Sequence, residues 1–181
     1  MRECCSSDKK QHSSGDNRLV ILLVVAGALI VGGVVLGLAL GSGGSAKSDA
    51  RGKIAMAETK FDAGDVSMAS GKYTHTYKFR NSGAGSLNLS KLETSCMCTT
   101  AKIRYRGKDG PEFGMPGMGN AAPFWGGMEI APGDEAELIV IFDPNAHGPD
   151  AVGLIKRGII ITTDDPENRE IEVFFSANVT R

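Results

Sequence analysis

The stretch Tyr73-Thr74-His75-Thr76-Tyr77-Lys78-Phe79-Arg80 alternates ring-bearing side chains with threonine and charged residues for eight positions. A period of two is the signature of a strand with one face toward a core and one toward water. "NSGAG", residues 81–85, then turns the chain.

The same period recurs on either side. "KFDAGDV" near Phe61 predicts a first strand, Leu87 and Leu89 a short next one, and the segment from Cys96 to Tyr105 another. Ala136, Leu138, Val140 and Phe142 follow the turn "APGDE", and "FDPNAHGPD" reads as a loop. Arg157 to Thr163 is rich in isoleucine and threonine, and Ile171, Val173 and Phe175 line a last strand after "TDDPENR". No segment after Ile54 carries a sustained helical period. About seven short strands at this cadence predict an all-β fold, an immunoglobulin-like antiparallel sandwich. One segment breaks the cadence: residues 106–134, crowded with glycine and proline, hold the only tryptophan, Trp125, and Met115, Met118 and Met128. A loop that long is usually functional or disordered.

Upstream, Leu19 to Gly41 runs without a charged or amide side chain. As a helix, at about 1.5 Å per residue, it would rise roughly 35 Å, enough to cross a hydrocarbon core of about 30 Å. Residues 19–41 are therefore expected to form a transmembrane helix. A cleaved signal has an apolar run of only about 7 to 15 residues, which favours an uncleaved anchor. Basic residues flank both ends (Arg2, Lys9, Lys10, Arg18; Lys47, Arg51, Lys53, Lys60), so charge does not choose the orientation. A short polar tail is the easier end to keep inside, and a signal-anchor exports the domain behind it. The expected arrangement is a disordered cytoplasmic tail over 1–18, the helix over 19–41, a flexible tether over 42–53 and an extracytoplasmic domain over 54–181 at the cell membrane. Gly33, Gly37 and Gly41, beside Ala28 and Gly32, make a small-residue stripe through which the helix could self-associate into a homo-oligomer.

The 181 residues carry 20 basic and 21 acidic side chains, mixed along the chain, for a net charge of −1. Such a chain has no positive field with which to hold a phosphate backbone, so nucleic acid is excluded as a partner. The partners expected are the lipid bilayer and proteins of the cell envelope.

Four cysteines are present. Cys4 and Cys5 lie in the tail, as free thiols in a reducing compartment. Cys96 and Cys98 lie in "SCMCTT", one residue apart. On an extended strand both would face one way with Cα atoms about 6.6 Å apart. That is close to the limit of about 6.8 Å for a disulfide, so a relaxed bridge is not expected. Two thiolates facing the same way can converge on a metal, which sits between them. Met115, Met118 and His147 are the best further donors; thiolate with thioether favours Cu(I), while thiolate with imidazole would also accept zinc or Cu(II). Copper is thus the expected cofactor, on Cys96, Cys98, Met115, Met118 and His147.

Alternatives stand beside this reading. Methionines also fill irregular gaps, and His75 shares a face with Tyr73, Tyr77 and Phe79, as a hydrogen-bonded core histidine would. A redox pair would need an accessible thiolate and a resolving partner, but the usual Cys-x-x-Cys at a helix start is missing. With His75 and His147 the only histidines beyond the apolar segment, no acid–base constellation can be assembled, and the chain is not expected to be an enzyme. The other functional class is a structural, adhesion or assembly module of the cell envelope that holds no metal.

Phe61-Asp62-Ala63-Gly64-Asp65-Val66, Tyr77 to Gly83, Ser95 to Thr99, and Pro132-Gly133 with Ala136 and Ile139 to Asp143 together resemble a bacterial immunoglobulin-like family. This is domain-of-unknown-function family fifteen-seventy-three, related in shape to sperm-protein and ciliary ASH-type domains. The resemblance spans most of residues 60–178 and implies the sandwich. It implies no activity, because fold alone does not carry one.

Overall fold

The computed structural model describes residues 50–118 and 123–181. The strands are β1 (Ile54–Met56), β2 (Lys60–Ser67), β3 (Tyr73–Asn81), β4 (Leu87–Thr94), β5 (Thr99–Tyr105), β6 (Lys108–Asp109), β7 (Met128–Ile130), β8 (Glu135–Phe142), β9 (Gly153–Thr163) and β10 (Glu170–Thr180). A single 3-10 turn, Met68–Ser70, joins β2 to β3; the Ser67 hydroxyl caps it by accepting the Ala69 N–H at 3.2 Å.

Two five-stranded sheets form, in the orders β1-β3-β8-β5-β6 and β2-β10-β9-β4-β7. Their inner faces follow from the alternation. Tyr77 and Phe79 of β3, Ala101 and Ile103 of β5, and Leu138 and Val140 of β8 are buried from one sheet. They meet Leu89 and Leu92 of β4, Ile159 and Ile161 of β9, and Val173 and Phe175 of β10 from the other. This is an all-β sandwich with its core between the sheets.

The seven expected strands are the seven long ones, β2, β3, β4, β5, β8, β9 and β10, and the fold departs from expectation in three respects. The sandwich is not wholly antiparallel, because β2 runs parallel to β10, pairing Phe61 with Phe175 and Asn178 with Asp65 across a bulge. The irregular segment 106–134 holds two short edge strands, β6 and β7, and Phe113 forms a lone bridge to Ala101. Its Trp125 ring lies 5.1 Å from that of Phe113, against the core. Lastly, β5 begins at Thr99, so Cys96, Met97 and Cys98 occupy a turn and not a strand.

Buried polar groups are paired, as burial demands. The Asn81 side chain accepts the N–H groups of Lys53 and Gly83, both at 3.0 Å, and donates to the carbonyls of Gly85 (2.7 Å) and Ile130 (2.9 Å). This ties the turn after β3 to the lead into β1. Gly83 sits so close to the backbone of Arg51 to Lys53 that a Cβ there would collide with it. Asp165 similarly receives the N–H groups of Ile54 and Glu167 and the Asn168 amide.

The described residues belong to one compact unit, Asp49–Arg181. Among them no helix is long and apolar enough to cross a membrane. The tail over 1–18, the expected helix over 19–41 and nearly all of the tether lie outside the described residues.

Candidate functional site

Three connections meet at one end of the sandwich: β2 to β3, β4 to β5 and β8 to β9. Thr94, the last residue of β4, pairs with Ile159 in one sheet, and Thr99, the first of β5, pairs with Phe142 in the other. The Cys96–Cys98 turn is therefore the step by which the chain crosses between sheets. Phe142 ends β8 and leads into the loop that bears His147, while Arg157 lies two residues before Ile159 on β9.

The turn is closed from several directions. The Thr99 N–H donates to the Cys96 carbonyl at 3.1 Å, the Asp143 N–H to the Cys98 carbonyl at 2.8 Å, and the Thr94 hydroxyl to the Thr99 carbonyl at 2.8 Å. Ser95 is pinned to β9 twice: its N–H donates to the Gly158 carbonyl at 2.9 Å, and its hydroxyl accepts the Gly158 N–H at 2.8 Å. Serine and threonine hydroxyls offer the backbone local partners that compete with a ladder. Here they end β4 and turn the chain.

The turn carries both sulfurs to one side, with Sγ of Cys96 2.7 Å from Sγ of Cys98. The separation expected of an extended strand does not apply. Cys98 is buried, at 2% exposure, whereas Cys96 is half-buried. His147 Nε2 lies 3.1 Å from the Cys96 sulfur, and the Arg157 Nε–H donates to the Cys98 sulfur at 3.1 Å. The three candidate ligand atoms of Cys96, Cys98 and His147 all lie within 4.8 Å of one another.

The loop presenting His147 is held by an Asx turn: the Asp143 carboxylate accepts the Asn145 N–H at 2.9 Å, and the Asn145 amide donates to the Met68 carbonyl at 3.0 Å. The imidazole, on an exposed residue, reaches back over the turn.

The two thiols differ electrostatically. Burial alone would raise the Cys96 pKa; hydrogen bonds from the Cys98 thiol and the Cys98 N–H, the contact with His147 and the charge of Arg157 bring it down to about 7. Burial, with the sulfur of Cys96 beside it, pushes the Cys98 thiol up against the opposing contacts with Arg157 and Thr99. At neutral pH the first proton to leave the pair comes from the accessible sulfur.

Met115 and Met118 follow Gly114, whose carbonyl accepts the Thr94 N–H at 3.3 Å. Met115 is half-buried and Met118 is 50% exposed. Met128 packs on the core, and His75 is held by Glu58 at 3.0 Å and stacked on Phe61 at 3.5 Å. Arg157 was not anticipated as part of the site. The visible signal was a charge on the inward face of β9, in line with Ile155, Ile159 and Ile161.

Residues 54–108 match the model of a family described as "Protein of unknown function (DUF1573)". No curated protein matches the chain. Among solved structures, a protein of unknown function from Porphyromonas gingivalis W83 is similar at 20% identity and a TM-score of 0.55, over 74% of this chain and 50% of that one. The secreted serine protease VesC from Vibrio cholerae is similar at 16% identity and a TM-score of 0.43, over 70% of this chain and 23% of the protease. The E. coli chaperone DraB is similar at 8% identity and a TM-score of 0.40, over 71% of this chain and 55% of the chaperone. The chain thus spans half the length of the P. gingivalis protein and about a quarter of the protease, and the first likeness concerns the fold alone.

Proposed function

We propose that this domain binds a soft metal ion, Cu(I), through Cys96, Cys98 and His147, and that residues 19–41 anchor it in a membrane with the sandwich on the extracytoplasmic side. The observation that carries the metal reading is the convergence of two sulfurs and an imidazole nitrogen within 4.8 Å of one another. Thiolates favour Cu(I) and zinc over harder cations, and imidazole suits both copper and zinc. Zinc calls for a fourth ligand, whereas the cluster offers three donors and Cu(I) tolerates so small a set. Met115 and Met118, on the loop beside Thr94, are the candidates to approach from outside.

Charge supports the same choice. Two thiolates and Cu(I) leave one negative charge, and the Arg157 guanidinium, 3.1 Å from the Cys98 sulfur, offsets it. Groups that hydrogen-bond a ligand atom tune affinity in this way.

The test uses the full chain with Cys4→Ser and Cys5→Ser, in detergent, reconstituted with Cu(I) under reducing conditions and analysed for metal. About one copper per chain is expected, falling to background in Cys96→Ser, Cys98→Ser. Equal, negligible copper in both would refute the metal reading and leave the adhesion or assembly module. Zinc retained in preference to copper would overturn the choice of metal.

The anchor is tested separately, by alkaline extraction of membranes and protease accessibility from either side. Retention in the pellet, with the sandwich cleaved only from outside, is expected. Release into the supernatant would refute the anchor without touching the metal site.

A further inference from the structure

The turn that brings the two sulfurs together also makes them a dithiol, and the asymmetry of the pair assigns each a part. Cys96 is the half-buried sulfur beside exposed His147, while Cys98, at 2% exposure, lies behind it against Arg157. A groove of about 320 Å³ opens alongside, lined by Phe142, Asp143, His147, Val152, Ile155 and Arg157 among others. It therefore shares with the thiol pair His147 and Arg157, two of the side chains that touch the sulfurs. Its floor is apolar, the Asp143 carboxylate on its wall is engaged by the Asn145 N–H at 2.9 Å, and the Arg157 guanidinium beside the sulfurs is the charge that meets a carboxylate-bearing small molecule there.

From this geometry we infer that Cys96 and Cys98 are a thiol–disulfide exchange pair that is oxidised by a low-molecular-weight, carboxylate-bearing disulfide. The Cys96 thiolate attacks one sulfur of the small disulfide; a protein–small-molecule S–S bond forms, the original S–S bond breaks, and one thiolate leaves and takes a proton from water. The Cys98 thiol then gives its proton to water and attacks the Cys96 sulfur. The protein disulfide forms and the second small thiolate leaves and is protonated. Overall, two protein thiols and one small disulfide become one protein disulfide and two small thiols, with two electrons passing to the small molecule. Arg157 faces the Cys98 sulfur as it becomes anionic. The 2.7 Å separation lets the second step proceed without moving a strand.

This inference deepens the metal reading, on which it rests for its consequence: a disulfide removes both sulfur donors, so oxidation releases the metal. The exchange step itself requires no metal. The full chain with Cys4→Ser and Cys5→Ser, stripped of metal, is equilibrated with glutathione and glutathione disulfide over a range of ratios and quenched with acid. Trypsin releases residues 92–102, which carry both cysteines, and mass spectrometry reads the peptide. Loss of two hydrogens from this peptide in wild type is expected as the mixture becomes oxidising. In Cys98→Ser the glutathione adduct should accumulate on Cys96, and in Cys96→Ser the adduct on Cys98 should form at least about tenfold more slowly. A peptide that stays reduced at every ratio would overturn the inference, as would equal adduct rates on the two cysteines. Oxidised and reduced wild type are then offered Cu(I). If exchange occurs but neither form takes up copper, the metal reading fails alone; if both forms bind copper, the release consequence fails.

Discussion

The most exacting consequence of the site's electrostatics concerns the pH at which Cys96 becomes reactive. Its pKa is brought from an ordinary 9.0 to about 7. At pH 7 about half of the sulfur is then thiolate, against about one per cent for an ordinary thiol, a gain of about 50-fold in the reactive species. A less basic thiolate is also a weaker nucleophile. With a slope of about 0.45 per pKa unit, the two-unit shift costs about eightfold, leaving a net advantage of about sixfold at pH 7. The sign reverses near pH 8, and by about pH 10, where both thiols are ionised, Cys96 should react about eightfold more slowly than a free thiol. The assay is alkylation of the metal-free full chain by iodoacetamide from pH 5 to 10, followed on the 92–102 peptide and compared with a free cysteine peptide. A midpoint near 7 is expected, moving upward in His147→Ala. A midpoint above 8.5, unmoved by that substitution, would refute the reasoning, because the groups around the sulfur would then not be stabilising its anion.

Three further outcomes follow from the fold and the site. Asn81→Ala removes four hydrogen bonds and leaves buried or half-buried partners unpaired, at about 3–5 kcal/mol in total; calorimetry should find Tm lower by roughly 10–20 °C for a domain of this size. For Asp165, burial would raise the carboxyl pKa, but the Glu167 N–H, the Asn168 amide and the Ile54 N–H overcome it and hold it below the ordinary value. A lowered folded pKa gives stability that is present above the unfolded value of about 3.9 and lost as pH falls through the folded one. Denaturant melts should therefore decline more steeply below about pH 4 in wild type than in Asp165→Asn. Arg157→Leu removes the guanidinium from the Cys98 sulfur and should weaken Cu(I) binding about tenfold in competition with a chromophoric chelator, with Arg157→Lys partly restoring it.

Strands whose pairing leaves one face wet announce themselves, and here all seven long strands did. Tyr73 to Arg80 alternates because β3 is buried on one side only. The parallel pairing of β2 with β10 was not legible, since alternation says which face is buried and nothing about the neighbour. β6 and β7, of two and three residues, are too short to display a period inside a glycine- and proline-rich segment. At "SCMCTT" the six small or flexible side chains looked extended, but hydroxyl groups decided otherwise: Thr94 and Ser95 bond locally and to Gly158. That one turn reversed the distance argument for the sulfurs. Cys96, Cys98 and His147 were legible as donors by residue type and loop position. Their convergence depended on β8 and β4 ending at the same end of the sandwich, which only the folded chain displays.

The coordination itself is tested most directly by X-ray absorption at the copper edge, on the full chain with Cys4→Ser and Cys5→Ser loaded with Cu(I). A first shell of two sulfurs and one nitrogen is predicted, with the nitrogen contribution lost in His147→Ala. A shell of nitrogen and oxygen alone, unchanged by Cys96→Ser and Cys98→Ser, would contradict the proposed site.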